Sequence, residues 1–134
     1  MIPLHYTHNR RFDRSQLVEL YHQTEWGKKY SLKKVRKLVR YSDVILSGWN
    51  KEKDELVVFA RVLTDYVQFA VIVDVLIKDG YHTPEMEKEL FSRLMKAKRL
   101  DMAHKYYLAK KNRIQNAETL GFKNSDADFW IKLK

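Results

Sequence analysis

Residues 55–95 (ELVVFARVLTDYVQFAVIVDVLIKDGYHTPEMEKELFSRLM) restrict the fold more than any other stretch. Two runs rich in apolar and β-branched residues, 56–63 and 67–77, are separated only by Thr64, Asp65 and Tyr66. So short a polar break between two such runs predicts an antiparallel hairpin. The second run, VQFAVIVDVLI, is almost continuously apolar, as expected of a central strand covered on both faces. After a polar loop, Thr83 is a helix N-cap, and Pro84 suits the first helical position because that amide has no partner within the helix. Met86, Leu90, Phe91, Leu94 and Met95 then recur at helical spacing and predict a buried stripe.

The rest of the chain is arranged around this strand–strand–helix unit. Residues 2–6 (IPLHY) read as a short edge strand, where Pro3 is tolerated. Asp13 or Ser15 caps a helix beginning near Arg14, with Leu17, Val18, Leu20 and Tyr21 on its apolar face and an end before Gly27. Ser31 caps a second helix, whose buried side carries Leu32, Val35, Leu38 and Val39. Residues 44–49 predict a strand, residues 50–54 (NKEKD) a turn and residues 105–109 (KYYLA) a further strand. Residues 115–120 predict a helix ending at Gly121, and residues 129–133 (FWIKL) alternate as a final strand. The order is β–α–α–β–β–β–α–β–α–β, an α/β (α+β) pattern. With no repeat or linker, 134 residues are read as one domain, 1–134.

Composition narrows the function classes. The chain has no cysteine, which excludes a disulfide frame, a thiol nucleophile and a cysteine metal site. His5, His8, His22, His82 and His104 are scattered without metal-ligand spacing, so no metal is expected. No apolar run approaches the ~18–20 residues of a membrane span, and the first residues are too polar for a signal peptide. A soluble, cytoplasmic protein away from membranes is the expectation. The formal net charge is +9, and residues 28–40 carry seven cations and no acid. A one-signed block of this kind attracts acidic partners. Lys33, Lys34, Arg36, Lys37 and Arg40 are thus candidates for binding an acidic protein or nucleic acid, against the alternative of a solvated outer face.

Four strings, FARVLTD (59–65), FAVIVDVLI (69–77), YYLAK (106–110) and ETLGF (118–122), make the chain resemble the GNAT superfamily of acetyl-CoA-dependent N-acetyltransferases. The resemblance runs without a gap from 56 to 122. It implies a mixed central sheet splayed into a V and flanked by about four helices. Acyl-CoA would lie beside the strand 67–77, its pantetheine arm held by backbone groups of Val75, Leu76 and Ile77. It further implies a Gln/Arg-x-x-Gly-x-Gly/Ala loop that cradles the pyrophosphate, and a tyrosine that protonates the departing thiolate.

Three positions depart from that pattern. The cradle falls on residues 82–87 (HTPEME), where Glu85 and Glu87 occupy both glycine places. A diphosphate needs open main-chain amides at the positive end of a helix dipole, and Pro84 removes one of them. The tyrosine place is Ala117, which has no proton to donate. Asp79 stands where many members have proline.

The joint loss of cradle and acid makes the expected protein a GNAT-fold pseudoenzyme. Acetyl transfer is weak or lost, no cofactor is held, and the protein acts as a binding or regulatory module. The first alternative is an active N-acyltransferase for an acidic or polar amine. In it acetyl-CoA is held partly by His82 and Thr83, and water or Tyr107 supplies the proton. The second is a nucleic-acid or acidic-protein binding module. Asp74, inside the apolar strand, is a candidate general base or a structural carboxylate paired with Arg61. Residues 129–133 are a candidate homodimer contact.

Overall fold

The structure is a computed structural model that describes residues 3–133. Ile2, at the start of the expected edge strand, and the side chain of Phe129, in the expected dimer contact, lie outside the described residues. Seven strands form one mixed sheet: β1 (His5–Thr7), β2 (Val44–Asn50), β3 (Glu55–Thr64), β4 (Phe69–Ile77), β5 (Lys105–Ala109), β6 (Lys123–Asn124) and β7 (Phe129–Leu133). Their spatial order is β1-β2-β3-β4-β5-β7-β6. Every neighbouring pair is antiparallel except β4 and β5. β7 thus pairs with β5 on one side and with β6 on the other.

Helices cover both faces, which is why β3 and β4 read as near-continuous apolar runs. α1 (Ser15–His22) and α2 (Leu32–Arg40) pack Leu17, Leu20, Tyr21, Val35 and Val39 against Ile45, Leu56, Phe59 and Leu76. α3 (Pro84–Met95) packs Met86, Leu90, Phe91 and Leu94 against the opposite face. No helix is long and apolar enough to cross a membrane among the described residues.

Local chemistry sets the boundaries. Thr83 Oγ1 accepts the Met86 amide at 3.1 Å and Pro84 opens α3. Thr83→Ala is therefore expected to lower stability by about 1 kcal/mol, measured by urea unfolding. Ser31 caps α2 in the same way, accepting from the Lys34 amide at 3.1 Å. In α1 neither Asp13 nor Ser15 takes the cap position. Arg14 does, and Asp13 Oδ1 instead closes a turn onto the Ser15 amide and hydroxyl.

Two further expectations are corrected. β4 begins at Phe69, two residues later than the apolar run suggests. Asp65 Oδ1 gathers the amides of Val67, Gln68 and Phe69 at 2.9–3.1 Å, so the turn holds groups that a longer ladder would have used. Residues 115–120 form hydrogen-bonded turns in place of a fourth helix. One helical bond survives, Leu120 N to Asn116 O at 3.0 Å. The amides of Gln115 and Asn116 point to the Glu87 carboxylate. A single turn does not repay helix nucleation unless packing adds to it.

Candidate functional site

β4 pairs with β5 only over Phe69–Ile72, yet it continues to Ile77. The register against β3 shifts at the same place: Arg61 faces Asp74 and Val62 faces Ile72, which leaves Val73 as the extra residue of a bulge. A bulge bends its strand, and beyond it the two parallel strands part. Asn112, 7% exposed, fills the gap. Its Oδ1 accepts the Val75 amide at 2.8 Å, and its Nδ2 donates to Val73 O at 2.9 Å and Ala109 O at 3.0 Å. The carboxamide stands in for the strand that is missing there.

A cavity of about 210 Å³ lies beside this half of β4, closed by the residues after α1 and those after β5. Val75, Leu76, Ile77 and His82 line it, together with Trp26 and Lys111. Thr83 is not on its wall; its side chain caps α3. At the mouth, Gln23 Oε1 accepts the Asp79 amide at 2.7 Å, which ties the end of α1 to the loop before α3. A proline at position 79 has no amide to give.

Asp74 is 1% exposed and carries the site's electrostatics. Arg61 Nε lies 2.5 Å and the Tyr21 hydroxyl 2.7 Å from Oδ2, while Lys111 Nζ lies 2.7 Å from Oδ1. Burial alone pushes this carboxyl up, but the Arg61 charge and the bonds from Lys111, Tyr21 and Arg61 outweigh it and hold the carboxyl below its ordinary value. Burial and the Asp74 charge push the Tyr21 phenol well up. Lys111 Nζ also sits 3.9 Å from the centroid of the Trp26 ring.

No family model matches the chain, and no curated protein does. Solved structures do. A putative GNAT-family acetyltransferase from Xanthomonas campestris pv. campestris is 24% identical with TM-score 0.74, over 94% of this chain and 88% of that one. Aminoglycoside 6'-acetyltransferase type Ii is 19% identical with TM-score 0.72, over 96% of each chain. The PaiA N-acetyltransferase from Thermoplasma acidophilum, in complex with coenzyme A, is 15% identical with TM-score 0.62, over 97% of this chain and 99% of that one. The fold is the GNAT acetyltransferase fold.

Within a GNAT frame the expected site residues separate into two groups. Val75, Leu76, Ile77 and His82 come together at the cleft, and Asp74 lies behind them. Tyr107 does not reach it: it sits on β5, opposite Val71 of β4 and Ile131 of β7, and is absent from the cavity wall. Ala117 is 3% exposed and belongs to the core beneath α3, so the tyrosine place is a packing position here. Lys33, Lys34, Arg36, Lys37 and Arg40 all lie exposed on α2. Among the described residues no cluster of His, Cys, Asp or Glu is arranged to hold a metal.

The two glutamates at the mouth of α3 also separate. Glu85 is exposed, whereas Glu87 is 0% exposed. The Glu87 carboxylate turns inward to His82 Nε2 and to the amides of Gln115 at 3.0 Å and Asn116 at 3.2 Å. The expectation that no coenzyme is held rested on Glu85, Glu87 and Pro84 crowding the mouth, and Glu87 does not crowd it. With coenzyme A present in a structure of the same fold, that expectation loses its support. The helix mouth itself is still a poor diphosphate cradle. Pro84 has no amide, Met86 donates to Thr83 Oγ1 and Glu87 to Thr83 O, which leaves Glu85 among the described residues of that turn. Asn112 and Gln23 escaped the sequence reading because each is one polar residue in a polar stretch, and only the parting of β4 from β5 gives them a task.

Proposed function

We propose that this GNAT-fold protein works as a binding or regulatory module through the β4–β5 cleft, with acetyl transfer weak or lost. The state of Asp74 carries this reading. Transfer to an amine requires a group to take the amine proton and a donor for the departing thiolate. Asp74 is a buried carboxylate behind the cleft wall, and its three partners hold it ionised and make it a weak base. Ala117, at the donor's place, lies in the core. The single open amide at the start of α3 is consistent with weak retention of a CoA diphosphate.

The test pairs two measurements: calorimetric titration with acetyl-CoA and CoA, and acetyl-CoA-dependent thiol release across amines, polyamines and peptides. Weak or unsaturable heat and no acceptor-dependent release are expected. Low-micromolar affinity together with acceptor-dependent release would establish instead an active N-acyltransferase with an atypical phosphate loop, acting on an acidic or polar amine. The cavity alongside Val75–Ile77 and the exposed Arg113 on its wall favour that second reading.

A further inference from the structure

A second cavity, of about 400 Å³, shares no lining residue with the cleft. It lies where the connection after β1, the start of β2 and the segment after α3 meet, and its wall carries His8, Arg10, Arg11, Lys98 and Arg99. Two guanidinium groups, 89 positions apart in sequence, converge on one oxygen. Arg10 donates to Asp43 O at 2.9 Å and to Val39 O at 2.5 Å, and Arg99 donates to the same Asp43 O at 3.3 Å. Like charges drawn together on a neutral carbonyl repel one another unless an anion joins them.

The carboxylates nearby are already engaged. Asp43 accepts the Thr64 amide at 2.9 Å and the Tyr66 hydroxyl at 3.3 Å. Asp13 accepts from the Ser15 amide and hydroxyl. Among the described residues, Arg10, Arg11, Lys98 and Arg99 form no ion pair. Arg10 also lines an adjoining hollow, with Arg14, Arg36 and Arg40. Burial, then the charges of Arg36 and Arg10, hold Arg14 below its ordinary value, as mutual repulsion requires. The two hollows, joined at Arg10, make a track of seven cations against two engaged carboxylates.

We propose that this track binds a run of successive phosphate groups, as carried by single-stranded nucleic acid or by inorganic polyphosphate. Cations spread over two joined hollows suit repeated charges along a flexible chain, and a lone anion would meet only part of them. The proposal is independent of what the cleft binds. It also moves the focus of the basic surface from the whole outer face of α2 to the side where Arg36 and Arg40 meet the β1–α1 connection.

The experiment is fluorescence anisotropy with a labelled short single-stranded oligonucleotide, with unlabelled polyphosphate as competitor. Four neutralised phosphates on a single strand predict a loss of affinity of about 50-fold between ~50 and 200 mM salt. The double variant Arg11→Ala/Lys98→Ala removes two exposed side chains with no fold contacts among those described. It is expected to weaken binding several-fold and to flatten the salt slope by about 1–2. Lys51→Ala/Lys53→Ala removes the same charge at the far end of β2, about 20 Å away along the strand, and is expected to leave binding unchanged. Displacement by polyphosphate assigns the ligand to phosphates alone, and failure to displace assigns it to nucleic acid; both sustain the site. No salt-sensitive binding, or equal losses in the two double variants, would overturn it.

Discussion

Asp74→Ala is expected to destabilise the protein by about 3–5 kcal/mol, the range for removing one partner of a buried charge cluster. The reason lies in what remains. Arg61 is 13% exposed at its side chain, and without Asp74 its charge stays largely buried with only a 3.4 Å contact to the Ser42 hydroxyl. The Tyr21 hydroxyl, 0% exposed as a residue, loses its only described acceptor. Lys111 is 34% exposed at its side chain and turns to solvent at smaller cost. Urea unfolding of the variant measures the effect. A paired replacement, Asp74→Leu/Arg61→Leu, is expected to recover much of the loss, because an apolar pair of similar volume needs no compensation. A loss below about 1 kcal/mol in Asp74→Ala would show that the cluster is not a buried electrostatic unit.

The same cluster fixes a pH dependence. Asp74 has a folded-state pKa below its ordinary value, which is about 3.9 in an unfolded chain. A depressed carboxylate contributes stability that is fully present above the unfolded value and is lost as pH falls through the folded one. Asp74→Asn cannot titrate. The stability gap between the parent and this variant should therefore be constant from neutral pH down to about 4 and narrow below it.

These groups also show how far the sequence was legible. The β3–β4–α3 unit could be read directly, because alternation, a short polar break and the Thr83-Pro84 signal are local properties. The Arg61–Asp74 pair was within reach once the hairpin register was assumed, since the two residues face each other across it. Lys111 and Tyr21 were not, because they join Asp74 from the segment after β5 and from α1, which meet it only once the chain is folded. The basic track was hidden for the same reason. The block at 28–40 stands out in a linear reading, whereas Arg10 and Arg99 meet only after β1 takes the sheet edge and the chain leaves α3. Residues 115–120 carry Ala and Leu at helical spacing, but a buried acid far upstream takes the first amides and leaves only turns.

That acid supports the second large effect. An acidic residue in a first helical turn normally stays at the surface and complements the dipole by ~0.3–1 kcal/mol, and Glu85 fits that description. Glu87 does not: 0% exposed, it accepts the amides of Gln115 and Asn116, meets Asn116 Nδ2 at 3.4 Å and bonds His82. It is the pin that holds the turn before Ala117 to the start of α3. Glu87→Ala removes the acceptor of two part-buried main-chain donors, on the exposed Gln115 and the half-buried Asn116, and of one imidazole nitrogen. A fully buried donor left unpaired costs about 1–3 kcal/mol; water reaches these part-buried ones once the acid is gone, so a total loss of about 2 kcal/mol is expected. Glu87→Gln should fall between parent and alanine, because its oxygen still accepts while its amide nitrogen meets donors. Hydrogen exchange gives the discriminating readout. In Glu87→Ala the Gln115 and Asn116 amides should exchange much faster, while β4 amides such as Val75, bonded to Asn112, stay protected. Unchanged protection at 115 and 116 would mean that the turn is held by its core contacts at Ala117 and Leu120, and Glu87 would then be an ordinary buried acid with no structural task at the helix mouth.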